Sequence, residues 1–237
     1  MAQHISRREL KKDEVRETLA HGAEAVLSHR QLSLYVLVTA AVIAVGIFGW
    51  RTYSQHQTVK AFAAFDAAMK VFQAPVGAPQ APGELTYSDE NKKFTEANQK
   101  FSDVASKYPR TRAGELASYY AALSLEKLGK GDDAKKRLQS LAGSSDADVA
   151  AMAQFELAGL DDRMGQGDDA VKIYQQLMAK PSALVPKAVV MLALADHYSS
   201  KDPAAAAKLY GQIKSDYPDT PMAEQADQAL ALLSGKS

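Results

Sequence analysis

Five histidines and three acidic dipeptides are the residues of this chain whose types could do chemistry, and their spacing argues against it. His4, His21, His29, His56 and His197 are scattered along the sequence. Asp196-His197 sets a carboxylate beside an imidazole, as a nucleophilic triad needs, but no Ser or Cys stands at a recognisable motif spacing, so His197 reads as a core or surface histidine. Asp132-Asp133, Asp161-Asp162 and Asp168-Asp169 offer paired carboxylates, yet none has the alternating oxygen-ligand spacing of a calcium-binding EF-hand loop; they read as solvated helix starts. Gly129-Lys130-Gly131 lacks both the Walker spacing and a preceding strand, which argues against phosphate binding. The chain has no cysteine, which removes disulfides, thiolate metal sites and a catalytic thiol. The expectation is no catalytic residue, no metal and no cofactor. Lys and Arg total 28 against 28 Asp and Glu, a balance that gives no hint of nucleic acid.

With no reaction to position, the elements themselves carry the reading. Leu32 to Trp50 is an uninterrupted apolar run without a charge. At ~1.5 Å per residue it makes a helix of roughly 28 Å, close to a bilayer core of about 30 Å, with Tyr35 and Trp50 near its ends as interfacial aromatics. A buried soluble helix would show a polar stripe, and here only Ser33 and Thr39 interrupt the run. Trp50-Arg51-Thr52-Tyr53 offers no small-residue cleavage site, so an uncleaved membrane anchor fits better than a signal peptide. Arg7, Arg8, Lys11, Lys12, Arg16 and Arg30 lie before the run, against Arg51, Lys60 and Lys70 in a similar length after it. That bias predicts a cytoplasmic N-terminus and an exported remainder.

The rest divides by composition. Residues 1–31 form a polar head, with Ser6 and Glu9 at capping-box spacing. Residues 32–50 are the transmembrane helix, and residues 51–73 continue as a helical stalk carrying Val59, Phe62, Phe65, Met69 and Phe72 at helical spacing. Residues 74–88 form a loop rich in Pro and Gly, read as flexible, and a repeat domain fills 89–237.

The repeat is explicit. Leu128-Gly-Lys-Gly-Asp-Asp-Ala134, followed by Leu138 and Leu141, matches Met164-Gly-Gln-Gly-Asp-Asp-Ala170, followed by Tyr174 and Leu177, at an offset of 36 residues. The same step reaches Ala206, Tyr210 and Ile213, and an upstream copy holds Ala97, Phe101, Val104 and Tyr108-Pro109. Each unit predicts a helix pair: Gly129 and Gly165 end first helices, while Asp202-Pro203 and Thr220-Pro221 pair an N-cap with a proline at the first helical position. Met222 to Leu233 reads as a solvating cap helix, and strand signals are absent. The fold class is all-α: one N-terminal transmembrane helix followed by a helical-repeat solenoid.

A small residue, a large one four later, an apolar one three later and a closing proline make the pattern resemble the tetratricopeptide repeat. The unit here is about 36 residues rather than 34, Ala122 or Ala158 stands for the usual first-helix glycine, and Asp161 replaces a usual aromatic. The resemblance implies a non-enzymatic interaction module whose partners lie along the first helices. Aligning the units puts Tyr119, Asp162, Arg163 and Tyr198 on or near that surface as partner-binding residues.

A narrower resemblance sits at Gly49-Trp50-Arg51-Thr52-Tyr53-Ser54-Gln55-His56-Gln57, which looks like the stalk of the YfgM-type ancillary subunit of the SecYEG translocon. That family implies a single-span bacterial inner-membrane protein with a periplasmic repeat domain. Its implied partners are translocon subunits, periplasmic chaperones or exported chains. Phe101 to Arg112 also resembles repeats of envelope-assembly lipoproteins and division coordinators, which gives a cell-envelope scaffold as the alternative. An enzyme using the repeats as a docking arm is the alternative from another class.

Overall fold

A computed structural model describes residues 30–79, 81–109 and 111–235. The capping-box helix expected at Ser6, and His4, His21 and His29, lie outside them. The described residues form nine helices: α1 Arg30–Gln73, α2 Glu90–Lys107, α3 Arg112–Lys127, α4 Gly131–Leu141, α5 Ala147–Arg163, α6 Gly167–Ala179, α7 Lys187–Tyr198, α8 Pro203–Asp216 and α9 Pro221–Ser234. The one β-type contact among them is an isolated bridge between Val76 and Tyr87. The fold is all-α, as the repeats predict. The chain divides into two compact units, Met1–His56 and Gln57–Ser237.

In the first unit, α1 is long and apolar enough to cross a membrane, and Leu37, Val42, Val45, Phe48 and Trp50 are all exposed. Two of its hydroxyls close onto the helix itself, Thr39 Oγ1 donating to the Tyr35 carbonyl at 2.8 Å and Thr52 Oγ1 to that of Phe48 at 2.9 Å. A helix meeting lipid must close its polar groups in this way.

The second unit starts at Gln57, well before the Asp89 at which the sequence placed the repeat domain. The C-terminal part of α1 is the first helix of the first pair: Ala61, Ala68 and Val71 are buried against Phe94, Phe101, Val104, Ala117 and Ala121. Phe65 and Phe72 close an aromatic knot with Phe101 and Tyr120, ring centroids 5.4 to 6.0 Å apart. Helical spacing was visible here, but not what the apolar face covers. The segment read as a flexible loop is held down as well. Gly77 donates to the Tyr87 carbonyl at 2.9 Å, the Tyr87 amide donates to that of Pro75, and Lys93 reaches the Ala74 carbonyl.

Pairing then repeats as α1 with α2, α3 with α4, α5 with α6 and α7 with α8, with α9 closing the end. The small and large residues named above, from Ala97 and Phe101 to Ala206 and Tyr210, are buried in all four second helices. Four core clusters follow one another along the chain, each shared by a second helix and the first helices flanking it. Each unit therefore buries its apolar face only against its neighbours.

Local chemistry sets the joints. Gly129 and Gly165 take φ of +72° and +81°, the left-handed turn that ends α3 and α5 at little steric cost to glycine. Asp89, Thr111, Asp146, Asp202 and Thr220 cap their helices by accepting backbone N–H groups. Asp132, Asp133, Asp168 and Asp169 sit exposed in the first turns of α4 and α6, where carboxylates favour the helix dipole. Asp161-Asp162 departs from the expectation of a solvated helix start. It lies in the last turn of α5, with Asp161 buried and paired to Lys135 at 2.7 Å.

Candidate functional site

The first helices contact one another in sequence, α3 on α5, α5 on α7 and α7 on α9. Their shared side carries a row of polar groups tied across the repeat interval. Arg163 Nη2, on α5, donates to Glu126 Oε1 on α3 at 2.7 Å and to Glu156 Oε1 at 3.2 Å. His197 Nδ1, on α7, lies 2.7 Å from Asp162 Oδ1, and Lys201 Nζ stands 3.6 Å from the same oxygen.

Tyr119 and Arg163 belong to one of these clusters. Burial first, then the Glu156, Tyr120 and Glu126 groups beside it, hold the Tyr119 phenol well above its usual range. The Glu156 carboxyl is raised by burial and by the Glu126 charge, with Arg163 pulling the other way. One guanidinium thus serves two carboxylates. Asp162 and Tyr198 belong to the next cluster, joined through His197, whose ring meets that of Tyr198 edge-on at a centroid distance of 5.2 Å. Between the two clusters stands Tyr174, which feels Asp162 on one side and Arg163 and Glu156 on the other. Burial, then Asp162, raises its phenol to about 12.

Asp162 and Arg163 are therefore not a loose charge pair. Each is engaged with a different neighbouring repeat, while Arg163 still leaves about half of its side chain exposed, 54 %. Glu126, Glu156 and Lys201 were not singled out from the sequence, and His197 was read there only as a core or surface histidine. The signal for them was present: Glu126 to Arg163 is a step of 37 residues and Asp162 to His197 one of 35, so polar partners recur about one repeat apart.

Nothing in the row resembles a reaction centre. His197 is buried, and its polar partner is Asp162 rather than the adjacent Asp196, which instead accepts the Tyr210 hydroxyl at 2.6 Å. Among the described residues no group of three or more His, Asp or Glu could hold a metal ion. The arrangement offers charged and aromatic groups along a helical face, which is chemistry for holding a chain.

A family model described as a tetratricopeptide repeat-like domain matches residues 29–183. No curated protein matches the chain at the significance required.

Proposed function

The chain belongs to the tetratricopeptide repeat-like domain family, and on that premise we propose that it is a membrane-anchored scaffold holding protein segments along the row α3, α5 and α7. The observation that carries this reading is the continuity of that row, on which Tyr119, Arg163, Asp162 and Tyr198 present aromatic and charged groups at successive repeats. Arg163, half exposed while serving Glu126 and Glu156, offers its outer face to a polar group of the partner, and the partly buried Tyr119 and Tyr198 give that segment aromatic edges to pack on. The repeats are a binding device and not an accessory to catalysis.

The apolar run of α1 supports a single span, and the excess of Lys and Arg before it supports a cytoplasmic N-terminus. With the stalk resemblance at Gly49 to Gln57, this points to a bacterial inner-membrane protein whose repeats face the periplasm. There it serves as an ancillary translocon subunit, passing exported chains towards chaperones. A membrane-impermeant thiol probe tests the topology on Ser234→Cys, a unique cysteine: labelling before lysis is expected, and labelling only after lysis reverses the orientation.

The partner reading is tested by a photo-crosslinking amino acid placed at Tyr119 or Tyr198 in full-length protein in native membranes, with Lys172 on α6 as control. Adducts with translocon subunits, chaperones or exported chains from the two tyrosine positions are expected. Adducts confined to division or outer-membrane assembly proteins would move the assignment to an envelope scaffold. Equal adducts from Lys172 would remove the row α3–α5–α7 as the binding face.

A further inference from the structure

On the second-helix side, α2, the end of α3 and α4 border an open cleft of about 450 Å³ lined by Asn98, Leu125, Asp133, Lys136 and Arg137. Arg137 is half-buried in it. Its one polar partner among the described residues is Ser102, whose hydroxyl accepts from Nη2 at 3.3 Å, and no described carboxylate lies within ion-pair distance. Burial, with no opposing charge to offset it, pulls the guanidinium below its ordinary pKa. Among the described residues the other two arginines of these repeats are provided for: Arg112 meets Asp146 and Asp148, and Arg163 meets Glu126 and Glu156.

We propose that this cleft is a second protein-binding subsite, in which Arg137 and Lys136 hold a side-chain carboxylate of an acidic partner segment. The planar guanidinium fork matches a carboxylate, and Lys136 adds a point charge at the rim. Asn98 is fixed by donating to the Ala121 carbonyl at 2.9 Å, which keeps the α2 wall in place, and Leu125 supplies an apolar floor for the methylenes of Asp or Glu. Asp133, exposed on the same rim, tempers the two cations and leaves the cleft with a net positive charge for an acidic side chain to neutralise. The scaffold then grips partners on two sides, by its first helices and by this cleft.

Fluorescence anisotropy of full-length protein in detergent micelles tests this with a short labelled peptide of alternating Glu and Ala, beside Gln and phosphoserine counterparts. The Glu peptide is expected to bind about tenfold tighter than the Gln peptide. Arg137→Ala should abolish the difference and Arg137→Lys restore part of it. Asp133→Asn, an exposed change that leaves the core untouched, should strengthen binding of the Glu and phosphoserine peptides, the latter more. Equal binding of Glu and Gln peptides, or no response to either Arg137→Ala or Asp133→Asn, overturns the proposal. Crosslinks from Tyr119 and Tyr198 should survive Arg137→Ala, so the first-helix reading stands or falls separately.

Discussion

Lys135 Nζ stands 2.7 Å from Asp161 Oδ1, an ion pair between α4 and α5 whose carboxylate is only 4 % exposed. Lys135 donates its hydrogen bond to the Gln166 side chain, so one ammonium ties α4 by charge to the end of α5 and by hydrogen bond to the turn that follows. Removing the carboxylate leaves that ammonium with a neutral amide in a largely dry place. Asp161→Ala should lower stability by about 3 kcal/mol, whereas Asp161→Leu with Lys135→Met should come within about 1 kcal/mol of the parent. Urea unfolding followed by far-UV circular dichroism decides it; equal losses in both variants would contradict this reading.

Gly131 and Gly167 occupy the same place in adjacent repeats yet should respond oppositely to a methyl group. A Cβ on Gly167 would fall 2.7 Å from His197 Cε1 and 2.6 Å from Lys201 Nζ, while one on Gly131 would sit 3.6 Å from Met164 Sδ. Lys201 can swing aside, but the buried imidazole is held by Asp162. Gly167→Ala should cost about 1–3 kcal/mol, and Gly131→Ala should be neutral or stabilising by up to about 1 kcal/mol. Paired thermal melts are the check.

Gly114 faces a harder wall. A Cβ there would lie 2.0 Å from the Tyr108 carbonyl oxygen, which also accepts the Thr111 amide and hydroxyl in the turn before α3. Backbone cannot yield as a side chain does, so Gly114→Ala should destabilise by about 3 kcal/mol or more. Loss of the Tyr120 ring's near-ultraviolet dichroism would accompany it.

Glu156 makes stability depend on pH in a definite sense. Burial, then the Glu126 charge, raises its carboxyl pKa in the folded protein, so the folded state holds the proton more tightly. That contribution is fully present below the ordinary carboxylate range and is lost as pH rises through the raised value. Glu156→Gln mimics the protonated acid. It should raise the melting temperature by a few degrees at neutral pH, with the gap closing as the solution is acidified into the carboxylate range. A gap that stays constant with pH would mean that Glu156 does not carry the effect.

The second-helix pattern was legible because it is local: Ala170, Tyr174 and Leu177 lie within one helix, and their burial follows from spacing alone. Gly129, Gly165, Asp202 and Thr220 were legible for the same reason, each setting its own turn or cap. The pairing of Phe65 and Phe72 with Phe101 and Tyr120 was not, since it depends on how α1 meets α2 and α3 across the proline-rich segment. In the row of first helices it was not legible that Asp162 would be engaged by His197 and Arg163 by Glu126. Those contacts need the stacking distance between repeats, which residue spacing implies only once the helices are built.

The aromatic knot of the first pair also has a mechanical consequence. A tension applied to the repeat unit through Gln57 runs along α1, whose first packed contacts are those of Phe65 and Phe72 with Phe101 and Tyr120. The later cores share no residues with that first cluster, so the knot can yield to a pull without any contact inside those cores having to break.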